Sequence, residues 1–223
     1  MIMMMKVDSH VSGASTMPES PTVFVVDDDS AVRNSLAYLI ESEGWTVNTF
    51  ASATGFLEAV PDDVPGCIVT DVRMPGMSGL ELQQRLRESH RQIPMIIITA
   101  YGDIPSAVRA VQNGAMQYLE KPVDGDVLIE CIREALERDR RNRQEHADRS
   151  RVEERLNRLT PREYEVYEIM VKGNSSRQIA GELGLSYKTI ESHRSQILRK
   201  MEVSSVSQLI HLSLSLQPLK ATD

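Results

Sequence analysis

Ile68-Val69-Thr70-Asp71, followed almost at once by Met74-Pro75-Gly76, is the stretch that decides the fold. An apolar run that stops abruptly on a charge reads as a buried parallel strand, covered on both faces. Three further runs have the same form: Val25-Val26 before Asp27-Asp28-Asp29, Ile96-Ile97-Ile98 before Thr99, and Tyr118-Leu119 before Glu120-Lys121-Pro122. In an open α/β sheet, chemistry sits just beyond the carboxyl ends of the strands. Asp27, Asp28, Asp71, the Thr99 hydroxyl and the Lys121 ammonium therefore converge on one rim.

Outward from these runs the pattern repeats. Strands are predicted over 22–27, 45–50, 66–71, 94–99 and 116–120, with helices over 30–43, 53–60, 78–89 and 103–113 between them. Gly114 is placed to end the fourth helix. Asp124 caps a fifth, which turns Val127, Leu128, Cys131, Ile132, Ala135 and Leu136 inward. Five such βα units require a parallel sheet covered on both faces by right-handed crossovers.

Past Leu136 the apolar stripe fades. Residues 139–154 carry only Ala147 and Val152 amid charges spaced for i,i+4 pairing, which fits an exposed helical linker or a disordered one equally. Beyond it no strand run recurs. Thr160-Pro161 opens a helix that Gly173-Asn174 ends, Ser175 opens one over 176–183 that Gly184 ends, and Ser186 caps 187–201. Ser204 caps a last helix to about residue 214. Two helices around a short glycine-containing turn are the helix-turn-helix signature, whose second helix enters a major groove. That helix sets Lys188, Glu191, Ser192, Ser195 and Arg199 opposite its apolar side, while Lys188, Arg194 and Lys200 suit phosphates. A four-helix protein-interaction module fits this pattern equally well.

The chain has 223 residues, 41% hydrophobic and 26% charged, which suits one large or two small globular domains. Aromatics are only 4%, too few for aromatic cages or stacking platforms as the main task. The net charge of −7 is uneven: from Asn157 onward nine Lys/Arg face seven Asp/Glu, so the preceding part carries −9. An acidic front half does not suit nucleic acid, whereas the second part, at +2, can. Cys67 and Cys131 lie in apolar settings and read as buried, reduced thiols. No run reaches membrane-span length, and the first residues lack a signal-peptide pattern, so a cytoplasmic protein with no membrane partner is expected. Residues 1–20 read as a disordered lead-in.

An oxygen-rich pocket of three carboxylates suits Mg²⁺, which keeps some water and awaits a phosphate oxygen. Like charges raise one another's pKa unless a cation compensates, and Lys121 supplies one. A carboxylate so placed can attack phosphorus and become an acyl phosphate, with Lys121 and Thr99 holding the phosphoryl oxygens. The bland alternative is an acidic surface cluster with Lys121 as its ion-pair partner.

Asp27-Asp28, Asp71 with Met74-Pro75-Gly76, Thr99-Ala100 and Lys121-Pro122 resemble, in order and spacing over about residues 20 to 140, the receiver domain of two-component response regulators. The resemblance implies a (βα)5 flavodoxin-like fold with Asp71 as phosphoacceptor from a sensor histidine kinase. It further implies Mg²⁺ held by Asp27, Asp28, Asp71 and the Arg73 carbonyl, Thr99 and Lys121 binding the phosphoryl group, and Tyr118 moving with Thr99. A cis Lys121-Pro122 bond is implied as well; Asp29 is given no role. Leu159-Thr160-Pro161-Arg162-Glu163, residues 174–180 and Ser186-Tyr187-Lys188-Thr189-Ile190-Glu191-Ser192-His193 resemble a LuxR-type DNA-binding domain. By that family's docking, Glu191, Ser192 and Ser195 face base edges. Lys188, Thr189, His193, Arg194 and Lys200 lie toward the backbone or hold the helix, and Arg177 touches phosphate.

Both halves together resemble the FixJ subfamily of response regulators. With the charged linker read from the residues, the expected division is a receiver over 21–138, the linker, helical or disordered, over 139–155 and an all-α four-helix helix-turn-helix domain over 156–223. The resemblance implies a non-enzymatic, activating regulator that binds double-stranded promoter DNA, engages the transcription machinery and forms a homodimer when phosphorylated. Two rivals remain. An aspartyl-phosphate phosphohydrolase would use Asp27 as nucleophile within Asp27-Asp28-Asp29, although Ala31 stands where a Thr or Val is expected. A receiver-based docking adaptor would bind no DNA.

Overall fold

The computed structural model describes residues 20–100, 108, 110 and 112–214. Nearly all of the expected lead-in, and most of the helix expected over 103–113, lie outside the described residues. The chain divides after Arg140 into two compact units.

In the first unit, strands β1 (Thr22–Val26), β2 (Thr46–Phe50), β3 (Gly66–Asp71), β4 (Met95–Thr99) and β5 (Gln117–Glu120) form one parallel sheet. Their order is β2-β1-β3-β4-β5, the flavodoxin-like arrangement. Period-two alternation sends successive residues of each buried strand into different cores. Phe24, Val26, Ile68 and Ile97 meet Phe56, Leu82 and Leu86 on one face. Val23, Val25, Cys67, Val69, Ile96 and Ile98 meet Ile40, Leu128, Ile132 and Ala135 on the other. The covering helices are α1 (Ser30–Ser42), α2 (Ala53–Ala59), α3 (Gly79–Glu88) and the first part of α4 (Gly125–Asn157). Both cysteines are free and buried. The strand order reverses between β1 and β3, which opens a crevice at their carboxyl ends. Asp27 and Asp71 stand there.

Two expectations about α4 need correction. Val127 was expected to face inward but is 48% exposed, because the buried stripe of α4 runs through Leu128, Cys131, Ile132, Ala135 and Leu136 and leaves Val127 on the flank. The charged run is helical, yet it is not exposed along its length. Asp139 is 2% exposed and accepts a hydrogen bond from the Gly66 N–H at 2.9 Å. Glycine is required at that partner, since a Cβ on Gly66 would stand 1.9 Å from the Thr22 carbonyl oxygen.

The second unit contains α5 (Pro161–Met170), α6 (Ser176–Leu183), α7 (Tyr187–Lys200) and α8 (Val206–Leu214). Val152, from the charged run, joins Val166, Met170, Ile179, Ile190, Ile197 and Leu209 in its core. Capping boxes open α5 at Thr160 and α6 at Ser175, and Gly184 closes α6 at φ 64°. Before α8 the cap is Ser205 rather than Ser204, for the Ser205 hydroxyl accepts from the Gln208 N–H at 3.2 Å. No described helix is long and apolar enough to cross a membrane.

Candidate functional site

Strand ends bring Asp27, Asp71, Thr99 and Lys121 to the rim expected for them. The Lys121 ammonium donates to Asp71 Oδ1 at 2.6 Å and to Asp27 Oδ2 at 2.9 Å. Each acid is nearly buried, Asp27 at 2% and Asp71 at 7% exposure. Their remaining oxygens take backbone donors: Asp29 N–H meets Asp27 Oδ1 at 2.9 Å, and Arg73 N–H meets Asp71 Oδ2 at 2.6 Å. Burial works against the Lys121 charge, but hydrogen bonds and charges from Asp71 and Asp27 outweigh it and hold its pKa above the ordinary lysine value. Asp28 is exposed beside them. Thr99 is buried at the end of β4, one residue past the register partner of Asp71. Tyr118 is half-buried and packs on the core that contains Phe24 and Ile97.

Sequence reasoning missed two supports of this rim. Asp29 was given no role, yet its carboxylate caps α1 by accepting from Ala31 N–H at 2.8 Å and Val32 N–H at 3.3 Å. The Asp-x-Asp spacing of the phosphohydrolase rival is thus spent on a helix cap. Gly79 opens α3 so close to the rim that a Cβ would lie 2.2 Å from the Asp71 carbonyl oxygen. Serine or threonine before an acid signals such a start in sequence, but the tight approach does not show there.

The helix-turn-helix unit sorts its candidate residues by exposure. Arg177, Lys188, Ser192 and Ser195 are exposed, whereas Thr189, Glu191, His193, Arg194 and Lys200 are half-buried. Thr189 helps to cap its own helix, its N–H meeting Ser186 Oγ at 3.1 Å. Glu191 accepts from the Ser176 hydroxyl at 2.5 Å and faces Arg194 Nε at 3.6 Å, so it bridges α6 and α7. Lys200 donates to Glu163 Oε2 at 2.6 Å, and the Thr160 N–H meets the same oxygen at 2.7 Å.

Comparison with known proteins agrees on both halves. Residues 23–133 match the response regulator receiver domain, and residues 157–213 match the bacterial regulatory proteins of the luxR family. The transcriptional regulatory protein FixJ of Azorhizobium caulinodans is 44% identical over 199 residues, 89% of this chain and 94% of that protein. The chain is a response regulator of the FixJ type. Among solved structures, the response regulator StyR aligns with a TM-score of 0.80 at 42% identity, covering 87% of this chain and 98% of that one. Full-length FixJ from B. japonicum aligns at 0.55 and 37% identity, covering 90% and 98%.

This response regulator therefore joins a receiver to a LuxR-type DNA-binding domain. Its relatives are transcriptional regulators. The Lys121-Pro122 peptide, the last part of the receiver rim, is cis as the resemblance implied.

Proposed function

We propose that Asp71 is the phosphoacceptor and that its occupancy controls DNA binding by the LuxR-type domain. The observation that carries this reading is one ammonium held between two nearly buried carboxylates at the β1/β3 switch point. One lysine is shared by two carboxylates, and the Arg33 guanidinium beside them bonds the Asp27 main-chain carbonyl rather than a carboxylate oxygen. That donor set fits a hard divalent cation. Among the described residues no three His, Cys, Asp or Glu side chains are grouped to hold a metal. Two carboxylates from Asp27, Asp28 and Asp71, with the Arg73 main-chain carbonyl, would hold Mg²⁺ instead. Bound there, it would offset negative charge on the transferring phosphoryl group.

The residues of the chain divide the work. An Asp71 carboxylate oxygen attacks the phosphorus of a phosphohistidine on a sensor kinase; the P–O bond forms, the P–N bond breaks, and the departing imidazole takes a proton from water. Lys121 gives up its bond to Asp71 and binds a phosphoryl oxygen. Thr99 then turns its hydroxyl to another, and Tyr118 follows into the space vacated. The altered β4–β5 face makes a homodimer, and two DNA-binding domains grip adjacent half-sites of promoter DNA to recruit the transcription machinery in the cytoplasm. Two copies are needed because a domain carrying only +2 gains little from phosphates alone. The domain limits that go with this reading are 21–138, 139–155 and 156–223.

In the second unit, Lys188, Ser192 and Ser195 reach toward the groove, Arg177, Arg194 and His193 lie toward phosphates, and Glu191, Thr189 and Lys200 hold the reading helix in place. The test is chemical. Incubated with ³²P-labelled acetyl phosphate and Mg²⁺, the wild-type chain is expected to acquire an acid-stable, alkali-labile label, and Asp71→Asn none. Equal labelling of that variant would refute the assignment.

A further inference from the structure

We propose that Tyr187 is a DNA-backbone contact, its ring against a deoxyribose and its hydroxyl on a phosphate at the edge of the groove that α7 enters. The inference rests on the DNA-binding reading of this unit and adds a residue to it. Single exposed apolar side chains are ordinary on protein surfaces, so exposure alone says nothing. Place is what sets this one apart.

Tyr187 is the first residue of α7, immediately after its N-cap Ser186, and is 55% exposed. Among the described residues its hydroxyl has no hydrogen-bond partner and no other ring packs on it, unlike Tyr164, whose ring lies 5.8 Å from that of Tyr167. In helix-turn-helix proteins the N-terminal residues of the second helix approach the bases, and the first helix crosses the sugar-phosphate backbone. On α7, Lys188, Ser192, Ser195 and Arg199 are all exposed and form one stripe opposite the buried Ile190, Ile197 and Met201. That stripe points into the groove.

Tyr187 stands about 100° around the helix from Lys188, off the stripe. It shares its side with Glu191, one turn on, and Glu191 bonds Ser176 at the start of α6. The ring therefore flanks the groove on the side of α6, where exposed Arg177 also stands. That is the side of a strand wall, not of base edges. Tyrosine is among the side chains that donate to phosphate oxygens, and such contacts fix register without reading sequence.

The test uses the full-length chain treated with acetyl phosphate and Mg²⁺, and duplexes that the wild type selects from a random-sequence pool. Tyr187→Ala is expected to weaken binding about tenfold, by a similar factor on every selected duplex, and Tyr187→Phe about threefold, the loss of one hydrogen bond. The slope of affinity against salt should stay as in the wild type, because a neutral group releases no counterion. By contrast, Lys188→Ala should lower that slope. Circular dichroism and phosphoryl labelling unchanged from the wild type show that the Ala variant is folded; if it is not, Tyr187→Phe decides alone. Affinity within twofold of wild type for the folded Ala variant, or for Phe where Ala fails to fold, overturns the proposal. So does a loss confined to duplexes with one particular base, which would make Tyr187 a base reader. If the wild type selects no duplex at all, the DNA-binding reading falls and this inference with it.

Discussion

Among the described residues two lysines face buried carboxylates, and they do opposite things. Lys200 meets one acid, Glu163, whose bonded oxygen also takes the Thr160 N–H, so charge and hydrogen bonds are both satisfied. Lys121 meets two acids, Asp27 and Asp71, which share its one ammonium. The first cluster is complete as it stands and joins the N-terminus of α5 to the C-terminus of α7. The second is complete only when something else arrives. Stability that a fold gives up at such a place is a common mark of function.

The largest effect should come from removing the over-committed lysine. Lys121→Met leaves two nearly buried carboxylates without the ammonium they share, at a cost of about 3 kcal/mol to the first unit. Urea unfolding in EDTA measures it, and Mg²⁺ should restore part of the loss by binding the folded form. A variant as stable as the wild type in EDTA would mean that Lys121 is not what holds the acids together.

Substituting the acids should separate the clusters by sign. Asp71→Asn relieves repulsion at the rim and is expected to raise the stability of the first unit by about 1 kcal/mol. Glu163→Gln loses a charge-assisted bond with no repulsion to relieve, and should lower that of the second by about 1.5 kcal/mol. Thermal unfolding of both variants, followed domain by domain, reads the signs. Two losses would erase the distinction between a balanced and an unbalanced cluster.

How far each cluster was legible in the sequence follows the same division. The rim at Asp71 could be read because strand ends are written locally: Ile68-Val69-Thr70 runs straight into its acid, and α/β topology gathers such ends at one edge. Helix caps at Thr160, Ser175 and Asp124 were legible for the same reason, each being a short-range pattern. What failed depended on partners distant in sequence. Nothing near Asp139 announces that Gly66, 73 residues earlier, will supply its hydrogen bond. Nor does the sequence near Lys200 show the acid it bonds 37 residues away, or that near Glu191 its bond to Ser176 across a turn. Val127 failed by a single step of the helix, where an apolar neighbour of the stripe is no different in composition from a member of it.

The smallest effect lies in pH. Burial disfavours charge on Glu163, but the Lys200 and Thr160 hydrogen bonds outweigh that and hold its pKa below the ordinary carboxylate value. A pKa lower in the folded than in the unfolded state contributes stability that is fully present above the unfolded value, about 4.3, and is lost as pH falls through the folded one. For Lys121, whose pKa is raised, the sign reverses: its contribution is full below about 10.4 and is lost as pH climbs through the higher folded value. Acid should therefore erode the second unit's cluster, and alkali the first's. In urea titrations, the stability gap between wild type and Glu163→Gln should hold from pH 8 to 5 and close below about 4. The gap for Lys121→Met should hold from pH 8 to 5 and narrow above about 10.4, as the ammonium loses its proton. A Glu163→Gln gap that persists at pH 3 would show that the Lys200 contact acts through packing of its aliphatic stem, and the two lysines would then differ in kind as well as in balance.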